Sequence, residues 1–180
     1  EIYGLINCAG LNPQPNVQNP DYYKNYNAFI NMWDKELNIS LKGYTLLIYE
    51  VSKILQKSKS STIINFSSDL GIISPNQNIY SKNSIKPLVY SISKHGIIGM
   101  TKYFATLFSK KGIRVNSICF GGVYNKKFDK NFINKFSKLI PMERMCDIEE
   151  ILSPIDFLLD HKNSYMTGHS LVIDGGRTIW

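Results

Sequence analysis

The chain has 180 residues, 43% of them hydrophobic and 19% charged, a composition that suits one globular domain and excludes wholesale disorder. Its net charge of +7 reads as a solvated Lys-rich surface; no Lys/Arg run with interleaved aromatics marks a nucleic-acid interface, and no apolar run approaches a membrane span. Cys8, Cys119 and Cys146 are odd in number and widely spaced, which argues against a disulfide framework or a zinc site and for a reducing, cytoplasmic compartment.

In chain order, Ile2 to Cys8 is a short apolar run that predicts a buried strand, not a signal peptide, with a turn at Ala9-Gly10. Leu11 to Asp21 is rich in Pro and Asn and predicts a loop. From about Ala28 to Lys57 apolar residues recur at helical spacing, with Gly43 as a possible break. Thr62 to Phe66 is β-branched and apolar, a second buried strand. Pro75 to Pro87 is polar and turn-rich. Tyr90 to Ser109 has helical spacing and stops at Gly112; Arg114 to Phe120 is strand-like and turns at Gly121-Gly122. Asp147 is placed to N-cap a helix that ends near Asp160. Ser170 to Ile173 is a last strand before Asp174-Gly175-Gly176. Strands alternating with helices predict an α/β fold with a parallel sheet covered on both faces. No internal repeat or second domain is visible.

The chemistry centres on Tyr90-Ser91-Ile92-Ser93-Lys94. Positions i and i+4 share a helix face, so the Lys94 ammonium can sit beside the Tyr90 phenol. A nearby cation favours the phenolate and lowers its pKa, which suits Tyr90 to exchange a proton with an alcohol or carbonyl oxygen. Taken alone, this spacing describes a core tyrosine and a surface lysine equally well. Ser68 follows the strand Thr62 to Phe66. A hydroxyl at the carboxyl end of a parallel strand faces the crevice where open α/β sheets bind ligands. For Ser67 the expectation is local capping or turn chemistry.

Together these segments resemble the short, single-domain branch of the short-chain dehydrogenase/reductases from end to end. Ile6-Asn7-Cys8-Ala9-Gly10 is similar to the family's NNAG strand end, with Cys8 in place of the second Asn. Ser68-Asp69-Leu70-Gly71 resembles its SxxG segment, and Tyr90 and Lys94 match its YxxxK. Arg114-Val115-Asn116 resembles its RVN strand, and Phe120-Gly121-Gly122-Val123 falls where the family has Pro-Gly-x-Val/Ile. Thr167-Gly168 and Val172 to Gly176 resemble the closing TGxxxxVDGG.

The resemblance implies a partial Rossmann-type doubly wound parallel sheet lacking its first three strands, with residues 1–180 as one N-terminally truncated domain. It implies hydride transfer between NAD or NADP and an alcohol/carbonyl substrate. Tyr90 would be the general acid/base. Lys94 would lower its pKa and hold the nicotinamide ribose, and Ser68 would orient the substrate oxygen. Asn7, Ala9, Gly10, Gly121 and Val123 would bind the cofactor together with Tyr90 and Lys94, and no metal is implied. A weaker likeness, around Tyr90 to Tyr103 and Gly121 to Asn125, points to the branch linked to bacterial surface sugars and flagellin glycans. The implied substrate is then a phosphorylated or nucleotide-linked sugar. Nucleic acid and membrane are not implied partners, and the complete protein is expected to be a homo-oligomer.

Three departures qualify this pattern. Ser40, in Ser40-Leu41-Lys42-Gly43, stands where the family has the Asn of a proton-relay site, and is expected to hold the relay water more weakly. Twenty-two positions separate Ser68 from Tyr90, a longer stretch than the family pattern, with the excess in the Pro75–Pro87 loop. The glycine-rich phosphate turn and the residue that chooses NAD or NADP lie outside the matched segments. The chain is therefore expected to bind no dinucleotide and to fold poorly alone. Five lysines and Phe128, Phe132 and Phe136 between Tyr124 and Lys138 read either as a basic lid over a phosphorylated sugar or as an amphipathic helix with a solvated basic face. Two rival readings stand beside the enzyme: a non-catalytic remnant or dimerisation module, and a larger sugar epimerase, against which the end soon after Gly176 argues.

Overall fold

A computed structural model of the chain describes residues 2–12, 25–55, 61–81 and 84–180. Most of the loop expected from Leu11 to Asp21, and the last residues of the helical stretch ending at Lys57, lie outside these. Four strands, β1 (Gly4–Asn7), β2 (Ser61–Phe66), β3 (Ile113–Phe120) and β4 (Ser170–Ile173), form one sheet in chain order, every pair parallel. Between β1 and β2 run α1 (Tyr26–Leu37) and α2 (Tyr44–Leu55), between β2 and β3 runs α3 (Leu88–Phe108), and between β3 and β4 run α4 (Lys130–Ser137) and α5 (Leu152–Leu159).

Strand residues alternate between faces, and the two sides of the sheet gather different partners. On one side Leu5, Ile63 and Val115 pack with Ile48 and Leu55 of α2 and with Phe104 and Phe108 of α3. On the other, Ile64, Ile118 and Phe120 pack with Leu158 and Ile155 of α5. Leu5 lies opposite Ile63, and Ile63 opposite Val115, so the register keeps each apolar row on one face. Every residue of β3 is buried, as expected for a strand covered on both sides. β1 is different: Ile6 is 42% exposed, and Tyr3 just before the strand 60%.

Local signals account for the helix ends. Asp147 and Glu150 form a reciprocal capping box that opens the turn leading into α5. Gly112 takes a left-handed φ of 74° that stops the chain after α3. Gly43 does not break its helix. It closes a wide π-type turn, Asn38–Gly43, that joins α1 to α2 without interruption. A Cβ at Gly43 would lie 3.2 Å from the Asn38 carbonyl oxygen, so glycine suits the bulge.

Candidate functional site

Parallel strands deliver their carboxyl ends to one edge of the sheet, and there β2 hands over to a short turn, Asp69–Gly71. Ser67 extends the ladder by one bond, its N–H donating to Ile118 O at 2.8 Å. The next residue, Ser68, caps the turn. Its Oγ accepts from the Leu70 N–H at 3.2 Å and donates to Asp69 Oδ1 at 2.7 Å. Capping, expected of Ser67, thus falls to Ser68. The Ser67 hydroxyl instead donates to the Lys94 carbonyl at 2.8 Å, tying the strand end to α3. Gly71 makes that approach possible: a Cβ there would stand 2.6 Å from Ser67 Oγ and 2.8 Å from Lys94 O.

Tyr90 and Lys94 lie one turn apart on α3, as their spacing predicts. Lys94 Nζ donates to Phe66 O at 3.1 Å and sits 5.5 Å from the centre of the Tyr90 ring. Ser68 lies close enough to the Tyr90 phenol to favour its ionised form. Burial nevertheless pushes the Tyr90 phenol up to about 12, with Ser68 acting against it. The expected lowering by Lys94 does not prevail in this state: loss of water penalises the phenolate, and Asp69, Glu36 and Tyr80 push in the same direction. Lys94 is shifted down, again by burial, with Glu36 opposing.

Ser40 is fully buried on the wide turn, and its Oγ donates to Glu36 Oε1 at 2.8 Å. Ser93 donates to the same oxygen at 2.6 Å, while Glu36 Oε2 is buried without a hydrogen-bond partner. This carboxylate, one helical turn before Ser40, was missed because a Glu on a helix ordinarily reads as solvated. Asn7 is buried and donates to Asn65 Oδ1 at 2.8 Å, and Asn65 donates to Thr101 on α3. The Asn7 amide nitrogen is thus engaged inside the sheet while its Oδ1 is buried without a hydrogen-bond partner, whereas Ala9 and Gly10 are exposed beyond the end of β1. Two other buried residues carried no sequence signal as a pair: Asp69 and Arg177 form an ion pair across the site.

A cleft of about 310 Å³ opens in front of Ser68 and Tyr90, with Gly121, Gly122 and Val123 on its lip. Lys94, Ser40, Asn7, Ala9 and Gly10 do not line it. Phe128, Phe132 and Phe136 form one wall, Phe132 stacked on Tyr80 with ring centres 5.8 Å apart. The lysines between Tyr124 and Lys138 are absent from the lining, which favours the amphipathic reading of that segment. A Cβ on Gly122 would come within 2.4 Å of the Phe136 ring, so the wall rests directly on backbone. Among the described residues no group of His, Cys, Asp and Glu is placed to hold a metal ion, and no helix is long and apolar enough to cross a membrane.

A family model described as enoyl-(acyl carrier protein) reductase matches residues 1–178. The chain is 31% identical over 152 residues to post-translational flagellin modification protein A of Campylobacter coli, a match covering 84% of this chain and 59% of that protein. It is 32% identical over 151 residues to the 3-oxoacyl-[acyl-carrier-protein] reductase of Thermotoga maritima, covering 82% of this chain and 57% of that one. The chain thus spans under three-fifths of the length of either relative. Among solved structures, a short chain dehydrogenase from Leptospira borgpetersenii with bound NAD+ superposes with a TM-score of 0.83 at 32% identity, over 98% of this chain and 65% of that one. A 4-hydroxyisoleucine dehydrogenase complexed with NADH gives a TM-score of 0.78 at 28% identity, covering 98% and 69%.

Proposed function

Because the chain belongs to the short-chain dehydrogenase/reductase family, we propose that it carries the reaction centre of an NAD(P)-dependent oxidoreductase acting on an alcohol/carbonyl pair. The observation that carries this reading is the convergence of Ser68 and Tyr90 on one cleft, with Lys94 a turn behind. The residues fit the nicotinamide half of a dinucleotide. The Tyr90 hydroxyl and the Lys94 ammonium are donors suited to a ribose diol, and exposed Ala9 and Gly10 leave the end of β1 open to it. When bound, NAD(P) supplies or accepts the hydride.

The protein's part is positional and protonic. The Ser68 hydroxyl turns from Asp69 to donate to the substrate oxygen and fixes it in front of Tyr90. Tyr90, neutral at rest because burial holds its proton, gives that proton to the oxygen as a carbonyl is reduced and takes it back in the reverse direction. Lys94 lies near enough to stabilise the phenolate that this leaves behind. Ser40 acts behind Lys94, through Glu36 and Ser93.

A sugar derivative is the substrate class we favour, supported by the likeness to the flagellin modification protein and by the aromatic wall of the cleft. A reducing, cytoplasmic setting is supported by three free cysteines. Self-association is supported by exposed Leu46 and Tyr49 on α2 and Tyr103 and Leu107 on α3.

The test is Tyr90→Phe in the full-length protein. Turnover should fall by ~10² to 10⁴, with dinucleotide binding retained by fluorescence titration. Retention of most of the turnover would mean that another group moves the proton.

A further inference from the structure

Two buried charges meet beside Ser68, and the proton chemistry uses neither. Asp69 and Arg177 are 3% and 5% exposed, pair with each other, and both line the cleft. Asp69 follows Ser68 directly, and its two oxygens have separate partners. Oδ1 accepts the Ser68 hydroxyl at 2.7 Å and the Leu70 N–H at 2.8 Å. Oδ2 accepts from Arg177 Nη1. The hydroxyl that meets the substrate is therefore held by a carboxylate whose other oxygen is gripped from 108 residues along the chain.

The C-terminal segment is built to aim Arg177. The Asp174 carboxylate accepts the Gly176 N–H at 2.9 Å and the Thr178 N–H at 2.7 Å, which folds the chain into a tight turn around Arg177. Gly175 lets that turn pack down: its φ is 65°, and a Cβ there would stand 2.7 Å from Ile140 Cγ2. Trp180 Nε1 donates to Leu139 O at 3.1 Å and anchors the end of the segment. The guanidinium so placed also covers Phe136, with Cζ 4.6 Å from the ring centre.

We propose that Arg177 is a positioning residue of the reaction centre: it fixes the Asp69 carboxylate, and through it the place from which Ser68 offers its hydroxyl to the substrate oxygen. The proposal rests on the reading of Ser68 and Tyr90 as that centre. A buried carboxylate without a counter-ion is costly, and Asp69 borders a cleft into which it can turn. Turning would break the pair with Arg177, so Oδ1 stays at Ser68. The Leu70 N–H, 3.2 Å from Ser68 Oγ, steadies the same atom. When a substrate oxygen arrives, the hydroxyl proton swings to it while Oγ keeps its place. Tyr90 is held separately on α3, its ring covered by Lys86 Nζ at 3.9 Å from the centre.

Crystal structures of the full-length protein with NAD+ test the proposal in the wild type, Arg177→Lys and Arg177→Met. Lysine keeps a charge for Asp69 but not the planar cover of Phe136; methionine keeps bulk over the ring but no charge. We expect Arg177→Lys to retain the Ser68–Asp69 hydrogen bond. Arg177→Met should lose it, with Ser68 Oγ displaced by about 1 Å or more. Turnover of ethyl acetoacetate with NADH or NADPH should follow: Arg177→Lys keeps most of kcat, and Arg177→Met loses about 10²-fold with dinucleotide affinity unchanged. A role in packing alone predicts the reverse order. Because Arg177→Met leaves a carboxylate buried without its partner, Asp69→Asn combined with Arg177→Met, which buries no charge, is solved alongside and should also displace Ser68. Ser68 in its wild-type place in either methionine variant, or Arg177→Lys as impaired as Arg177→Met, would overturn the proposal. Tyr90→Phe should leave the Ser68–Asp69 contact intact. A protein in which Arg177 governs Ser68 but Tyr90→Phe keeps its turnover would sink the hydride-transfer reading alone.

Discussion

Tyr90 and Lys86 are neighbours whose burial acts in opposite chemical directions. Removal from water keeps the phenol protonated and makes the ammonium easier to deprotonate. For Lys86 this has a stability consequence of definite sign. Its folded pKa of about 8 lies below the ordinary 10.5, so between those values the unfolded chain binds more protons. Stability therefore rises with pH across that window, and the full penalty applies below it. Lys86→Met should flatten the rise, with a neutral-pH gain of up to about 3 kcal/mol, measured by urea unfolding at several pH values. A variant with the same pH slope as the wild type would show that the ammonium is well solvated. Ser68, Tyr90 and Lys94 were legible in the sequence because each sits in a short local pattern. Lys86, Glu36 and the Asp69–Arg177 pair were not, because their meaning comes from residues far along the chain.

Among the elements, α1 and α3 are joined by an acid that neither helix advertises. Glu36 Oε1 accepts the hydroxyls of Ser40 and Ser93, which links the wide turn to the residue beside Lys94. Glu36→Gln keeps an oxygen for both hydroxyls and removes a buried charge, so its unfolding free energy at neutral pH should match or exceed the wild type. Glu36→Leu strands the Ser40 hydroxyl, at ~1–3 kcal/mol for a buried group left without a partner, while Ser93 keeps the Tyr90 carbonyl. Urea denaturation of the two variants compares them directly, and equal losses would mean that the charge itself is needed. Helix ends were read correctly where a local signal marks them, a capping side chain at Asp147 and a left-handed glycine at Gly112. The turn from Asn38 to Gly43 was not, since a π-type turn keeps the apolar rhythm while adding a residue. Adding Asn at Ser40 would enlarge a side chain already fully buried there.

At the scale of the molecule, the parallel sheet was legible because β-branched runs alternate with helical spacing, and the four strands lie where those runs fall. The sheet's β1 end differs from its interior. β3 is buried throughout, while Ile2, Tyr3 and Ile6 at β1 are exposed. An exposed apolar strand of this kind is a template for association. In residues 1–180 expressed as such, Ile6→Lys should increase the monodisperse fraction in light scattering without shifting the unfolding midpoint by more than about 0.5 kcal/mol equivalent. An unchanged or larger aggregate fraction would locate the sticky surface elsewhere.

The order of the strands also bears on the chain's birth. Spatial order equals chain order, so on the ribosome each of these strands meets its neighbour as the next one made, and none must wait for a gap to be filled later. Yet Gly4 pairs with Thr62 and Thr62 with Arg114, so every addition closes a long loop before it is rewarded. The nascent sheet therefore gains β2, β3 and β4 in slow steps. Until Ser170–Ile173 arrives, it presents the open side of β3, which in the finished protein is buried along its whole length.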